Sequence, residues 1–335
     1  MVGMILIGIA SPDMAGAIAA AGGRLDDTET CTVEAAGLAA LMVRSEDSAW
    51  RFLRPTRTAL KSLLHAQRML EAAARFGPVL PARPGSEIRD EAEARRLLGG
   101  QRQRLAEALQ RHGSSRQFQI TISWDPAAAL AARRDRAELA AAAAVGARGA
   151  GGEAAQMIQR FMSDEKTAFE VRARRAFGAV AEDVITLPVD GPDMLINAAV
   201  LLKPGAEADL ERTLEALDSG MPGDNRIRLI GPLPPVSFAA IAIERPSRDQ
   251  IAAARRVLGL RTATEPRHLR RAYLDTARAH HPDSGAGAAG AHQVGAAAEA
   301  FRLLDRVAEA RRCMPEGDVL LVDIVRQDEH RSLPR

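Results

Sequence analysis

Asp193-Met194-Leu195-Ile196-Asn197-Ala198-Ala199-Val200-Leu201-Leu202 is a nearly unbroken apolar run, too short for a long helix and bounded by Gly and Pro, so it reads as a buried strand. After Pro204, residues 205–218 place Leu210, Leu214 and Leu217 on one helical face. Arg226-Ile227-Arg228-Leu229-Ile230 returns to strand. Gly231-Pro232-Leu233-Pro234-Pro235 is a stiff connector, because its prolines fix φ and remove donors. Val236 to Ile243 is expected as a further strand. Strand, helix, strand and strand in this order predict an antiparallel or mixed sheet with helices on one face, an α+β layer. Right-handed crossovers would make it ferredoxin-like.

Working outward toward the N-terminus, Gln117-Phe118-Gln119-Ile120-Thr121-Ile122-Ser123-Trp124 alternates polar and apolar residues, as a half-buried strand must. Residues 126–178 are Ala- and Arg-rich helix broken by the glycines between Gly146 and Gly152. That stretch lacks the G-x-G-x-x-G spacing of a phosphate cradle. Ser86 is expected to N-cap a helix whose first turn carries Glu87, Asp90 and Glu91, with Gly99-Gly100 breaking it. Pro55 to Ala74 has Leu60, Leu63, Leu64 and Leu70 at helical spacing, stopped by Phe76-Gly77-Pro78. Residues 39–44 and 3–10 read as strands. The latter has no basic residue before its apolar run, which is why a buried first strand is expected there and not a signal peptide.

Toward the C-terminus, 247–312 is almost entirely helical in pattern, and Asp318 to Val325 is strand again. The helical part is then either an insertion between strands or the strand is a terminal arm. The expected organisation is an N-terminal α+β domain at 1–125, a helical connector at 126–182, a second α+β domain at 183–246, a helical domain at 247–312, and a C-terminal strand and tail at 313–335. In fold class this is two ferredoxin-like α/β sandwiches plus an all-α hairpin domain.

The chain has 335 residues, 47% hydrophobic and 26% charged, the balance of a folded chain with more than one core. Lys and Arg number 45 against 43 Asp and Glu, which argues against a nucleic-acid arm or polyanionic tail. Cys31 and Cys313 cannot form a disulfide framework or a zinc cluster, so a reducing cytoplasm is expected. No stretch reaches the roughly 20 apolar residues of a membrane span. His65 and His112 are expected near helix ends or on polar faces. The Asp26-Asp27 pair is expected in a solvated turn, and Ser237 lacks nucleophile-elbow context. No acid–base, metal or phosphate site emerges. The expectation is a non-enzyme without a cofactor.

One constellation lies in the helical segment. Leu269, Ala272, Tyr273, Thr276, Ala277 and His280 form a continuous stripe, ended by His281-Pro282-Asp283. A Gly-rich loop follows, then a helix presenting Val294, Ala298, Phe301, Leu304 and Ala308. Two such helices should pack antiparallel, displaying His281, Pro282 and Asp283 at the tip. Arg267, Arg270, Arg271 and Arg278 give the first helix a basic outer face. This segment resembles a J-domain, the module that stimulates DnaK-type chaperone ATPases. The matching residues are Val257-Leu258-Gly259-Leu260, Leu269-Arg270-Arg271-Ala272-Tyr273, His281-Pro282-Asp283 and Ala300-Phe301-Arg302-Leu303-Leu304. The resemblance implies that the tripeptide and the basic face engage the chaperone. Leu274 and Asp275 depart from the usual basic residues, and His280 from an aromatic.

A second constellation is a pair of rigid connectors. Gly77, Pro78, Leu80, Pro81, Arg83 and Gly85 lie in the first, Gly231, Pro232, Pro234, Pro235 and Phe238 in the second. Arg83 reads as an anion contact or, preferably, as a structural hydrogen-bond donor to backbone carbonyls, and Asn197 as a structural hydrogen-bonding residue. With Leu195-Ile196-Asn197-Ala198-Ala199 between them, the two segments resemble the gas vesicle protein GvpL/GvpF family over residues 3–243. Pro84, Ser86, Leu233 and Val236 stand where that family has Phe, Thr, Trp and Tyr. The resemblance implies a cytoplasmic accessory protein associated with gas vesicles. Its partners would be the very hydrophobic shell protein and other accessory proteins, and the J-like part would recruit a DnaK-type chaperone. The alternative is a general J-domain co-chaperone whose α/β part binds unrelated clients.

Overall fold

The computed structural model describes residues 3–44, 57–221, 225–261, 266–280 and 287–327. In chain order the elements are β1 (Met4–Ala10), α1 (Pro12–Ala20), β2 (Arg24–Leu25), β3 (Thr28–Glu29), β4 (Cys31–Ala35), β5 (Leu38–Arg44), α2 (Arg57–Ala74), β6 (Val79–Pro81), β7 (Glu87–Ile88), α3 (Glu91–Gly100), α4 (Arg102–His112) and β8 (Arg116–Ser123). They continue with α5 (Pro126–Ala131), α6 (Ala137–Ala147), α7 (Gly151–Val180), β9 (Asp183–Thr186), β10 (Met194–Leu202), α8 (Glu207–Ser219), β11 (Arg226–Leu233), β12 (Ala240–Glu244), α9 (Arg248–Val257), α10 (Pro266–Ala279), α11 (Gly287–Cys313) and β13 (Leu321–Val325). This is a mixed α+β protein. Its contacts separate into two units, one of residues 1–76, 82–108 and 241–324, the other of residues 77–81, 109–240 and 325–335.

In the first unit β5 lies between β4 and β1, antiparallel to both, and β7 pairs with the start of β1. Every residue of β1 is buried, which is why its sequence is an apolar run without alternation. Ser11 caps α1 by accepting a hydrogen bond from the Met14 amide, and Pro12 occupies the first helical turn, where its missing N–H costs nothing. Two tight turns need left-handed backbone. Asp26 and Asp27 have φ of 45° and 60° between β2 and β3, and Ala36 and Gly37 have φ of 54° and 78° between β4 and β5. Both are two-residue hairpin loops with positive φ at each central position.

The same unit carries the C-terminal helices. β12 pairs with β13, so α9, α10 and α11 are an insertion between two paired strands. Ala254 and Leu258 from the α9 end, Leu269 from α10, and Ala297, Ala300 and Leu304 from α11 form a separate apolar cluster. Tyr273 and Phe301 stack across it at 5.1 Å. Val307 and Ala310 continue the buried stripe of α11 onto Leu321. Arg306 pairs with Glu244 of β12 at 3.0 Å and also with Asp323 of β13.

The second unit has the element order β8, three helices, β9, β10, α8, β11. Its antiparallel sheet runs β11-β8-β10-β9. Phe118, Ile120 and Ile122 of β8, with Ile196, Ala198, Val200 and Leu202 of β10, face Phe169, Ala173 and Phe177 of α7 and Leu210, Leu214 and Leu217 of α8. The opposite face of β10 gives Ala199 and Leu201 to a smaller cluster with Ile185 and Phe238. Burial on both faces explains the unbroken run from which the fold was read.

Several expectations change. The units cut across the sequence boundaries: β8, expected within the domain 1–125, and α7, expected as connector, both build the second core. Ser86 does not cap a helix; it is buried after a turn, and Asp90 caps α3 through the Glu93 amide at 2.8 Å. Val236 to Phe238 is a turn, not strand. Its amides bond back to Pro234 and Pro235 carbonyls, and the strand starts only at Ala240. His65 lies within α2, where its Nε2 is 3.0 Å from Thr28 Oγ1 and its Nδ1 is 3.4 Å from Asp26.

Candidate functional site

The proline-rich turn after β11 is built by the strand beside it. Gly231 has φ 149°, and a Cβ there would lie 2.6 Å from Phe118 Cδ1 and 2.8 Å from the Gln117 carbonyl, so only glycine lets β11 lie this close to β8. The Gly231–Pro232 peptide is cis. Leu233, Pro234, Pro235, Ser237 and Phe238 are buried, while Val236 is 38% exposed at the tip. Gln117 fixes the turn from below: its Oε1 accepts from the Ser237 amide at 2.8 Å, and its Nε2 donates to Ser237 Oγ at 3.1 Å. A buried Gln with both ends satisfied is a rigid strut. Phe238 drops into the cluster with Ile185, Ala199 and Leu201.

Asn197 sits half-buried in β10. Its amide donates to the Pro188 carbonyl at 2.9 Å, and its Oδ1 accepts from Gln119 at 3.2 Å. Both ends of the side-chain amide are thereby hydrogen-bonded. Of the first connector, Val79 donates to the Gly113 carbonyl at 3.2 Å, and Pro78 packs against Gly113, all within the second unit. Leu80 and Pro81 are buried.

Arg83 and Gly85 belong to the first unit. Arg83-Pro84-Gly85-Ser86 is a turn closed by the Ser86 amide on the Arg83 carbonyl at 3.1 Å, with Gly85 at φ 83°. Pro then Gly at the central positions is what a type II turn demands. The Arg83 side chain is exposed; its backbone amide bonds the Ile241 carbonyl at 2.8 Å.

The third candidate surface is on the helical insertion. Arg267, Arg270, Arg271 and Arg278 are all exposed on α10, with Asp275 at 3.8 Å from Arg271 and 3.9 Å from Arg278. Leu274 stands 39% exposed among them. His281, Pro282 and Asp283 lie outside the described residues.

Two polar features went unread in the sequence. Glu93, only 2% exposed, is clamped by Arg245 at 2.7 and 2.5 Å and accepts from the Arg89 amide at 2.8 Å. Burial opposes its ionisation, but the Arg245 guanidinium and the Arg89 amide outweigh it and hold the carboxyl below its ordinary range. In the second unit Arg326 grips Asp183 at 2.9 and 3.0 Å, and that hydrogen bond holds the Asp183 carboxyl below the usual range. Neither partner pair is close in sequence. Gln117 did leave a signal, as a polar residue flanking the apolar face of β8.

Among the described residues no group of three or more His, Cys, Asp or Glu could hold a metal ion, and no helix is long and apolar enough to cross a membrane.

The fold is that of solved gas vesicle proteins. The chain is similar to the crystal structure of GvpF from Anabaena sp. PCC7120, with 20% identity and a TM-score of 0.51 over 70% of this chain and 94% of that one. It is likewise similar to GvpF from Microcystis aeruginosa, at 21% identity and TM-score 0.51 over 71% of this chain and 99% of that one. No curated protein sequence matches it. The model of the gas vesicle synthesis protein GvpL/GvpF family matches residues 3–240, and the chain belongs to that family. The match ends before α9, leaving the helical insertion outside it.

Proposed function

We propose that this protein is a non-catalytic gas vesicle assembly factor that binds the hydrophobic shell protein in the cytoplasm. The observation that carries the reading is the family match across residues 3–240, which takes in both proline-stiffened connectors. In this reading the two units are ferredoxin-like platforms, and the turn Pro234–Phe238, held by Gln117, is a fixed corner against which a partner packs. An unassembled shell subunit exposes apolar surface and aggregates; a protein that binds it limits that loss. The helical insertion acts as a J-like module recruiting a DnaK-type chaperone through His281-Pro282-Asp283 and the basic face of α10. Other gas vesicle accessory proteins join the same assembly. Pull-down of the shell protein on the full-length chain tests the first part. Retention supports it, and indifference to the shell protein overturns it.

A second reading, a general co-chaperone, is favoured by the insertion having its own apolar cluster. His281→Gln separates the two. Loss of chaperone ATPase stimulation with vesicle formation intact makes the insertion dispensable for assembly, whereas loss of refolding across many clients favours the second reading.

A further inference from the structure

The end of the described chain meets the outer edge of the second sheet. β9 is the last strand in the order β11-β8-β10-β9. In an antiparallel ladder alternate residues turn their N–H and C=O toward the neighbour. Leu187 donates to the Asn197 carbonyl, so that parity leaves Val184 and Thr186 facing outward. Val184 is occupied on both groups: its amide donates to Asp183 Oδ1 at 2.8 Å, and its carbonyl accepts from Arg326 Nη2 at 3.3 Å. Arg326 at the same time grips both oxygens of Asp183. Next to it the Gln327 amide donates to the Ser237 carbonyl at 2.7 Å, in the proline-rich turn.

Arg326 and Gln327 lie beyond residue 240, where the family match stops, while the groups they hold lie within it. Sheet edges left bare recruit other strands, and proteins cover them with charge or with a loop. Here the cover is an exposed ion pair, 40% accessible on each side, and such pairs hold weakly. We propose that residues Arg326–Gln327 form a releasable cap on β9, and that the uncapped edge takes an extended strand from a partner polypeptide carrying an arginine in the place of Arg326. The occupant is specified by charge. Asp183 stands at the start of the edge, and the protein's own tail shows the geometry that satisfies it. Strand addition supplies the main-chain bonds and Asp183 the register. This goes beyond the assembly role and does not depend on it.

The probe is a labelled synthetic peptide of residues 321–335, titrated by fluorescence anisotropy into full-length chains whose far-UV circular dichroism matches the wild type. Arg326→Ala should bind the peptide, and the wild type should bind a few-fold more weakly, because its own tail holds the edge most of the time. A peptide carrying R326A should not bind. The double variant D183N/R326A should bind no better than the wild type. Absence of binding to the R326A chain, equal binding to the wild type, or undiminished binding of the R326A peptide would each overturn the proposal.

Discussion

Ala36 is the one residue of the β4–β5 loop placed in the left-handed region without being glycine, at φ 54°. An L-residue with a Cβ there costs roughly 1–2 kcal/mol, and Asn tolerates the conformation better. Ala36→Asn should therefore stabilise the first unit by about 0.5–1 kcal/mol, read as a higher denaturant midpoint with an unchanged slope. Glu93 works in the opposite sense. Breaking a buried pair by removing one partner typically costs about 3–5 kcal/mol; Glu93→Ala leaves Arg245 partly exposed with only the Glu87 carbonyl at 2.9 Å, so it should lower stability by about 3 kcal/mol, the low end of that range. Since the folded-state carboxyl of Glu93 lies below its unfolded value, its contribution is complete above the ordinary carboxylate range near ~4.3. It is lost as pH falls through the lower folded value. The stability deficit of the Ala variant, read by circular dichroism from denaturant midpoints at a series of pH values, should be full at neutral pH and shrink as pH falls through that value. A variant unfolding at the same pH and denaturant concentration as the wild type would contradict this account.

At the scale of elements, close approach of β11 to β8 rests on Gly231. Gly231→Ala would force a Cβ into Phe118 and the Gln117 carbonyl. Overpacking of this kind costs roughly 1–3 kcal/mol, so a clear loss of stability is expected. Phe301→Ala in α11 removes a partly buried, stacked ring from the insertion's own cluster and should cost about 1–3 kcal/mol. Hydrogen exchange should show the loss in α9 to α11, leaving protection of β8 and β10 unchanged.

The elements also show how far sequence reasoning reaches. β8, β10 and α8 were legible because their apolar periods, two and 3.6, are strong local signals. The cap of α3 was misplaced because Ser86 and Asp90 are equally good capping residues. The choice is made by Ile88, which pairs with Met4 of β1 and keeps residues 87–88 extended. Val236 to Phe238 looked like strand by composition, but the turn bonds of Pro234 and Pro235 hold it back until Ala240. The pairing of β12 with β13 joins residues about eighty apart, and no local period encodes such a partner. For the same reason Glu93–Arg245 and Asp183–Arg326 were invisible, whereas the two connectors were legible as motifs.

On the scale of the whole molecule, the family match takes in residues 3–240, and a helical insertion with its own apolar cluster lies outside it. Assembly should therefore depend on the corner Pro234–Phe238 more than on the insertion. Gln117→Ala, which leaves Ser237 unsupported, should weaken shell-protein retention in a pull-down, whereas His281→Gln should leave retention unchanged. The most direct measurement is deletion of the coding sequence in a gas-vesicle-forming host, with gas-filled vesicles counted by electron microscopy and restored by the wild-type chain. The account predicts loss of vesicles on deletion and recovery on complementation. Vesicles formed in normal number without the protein would contradict it.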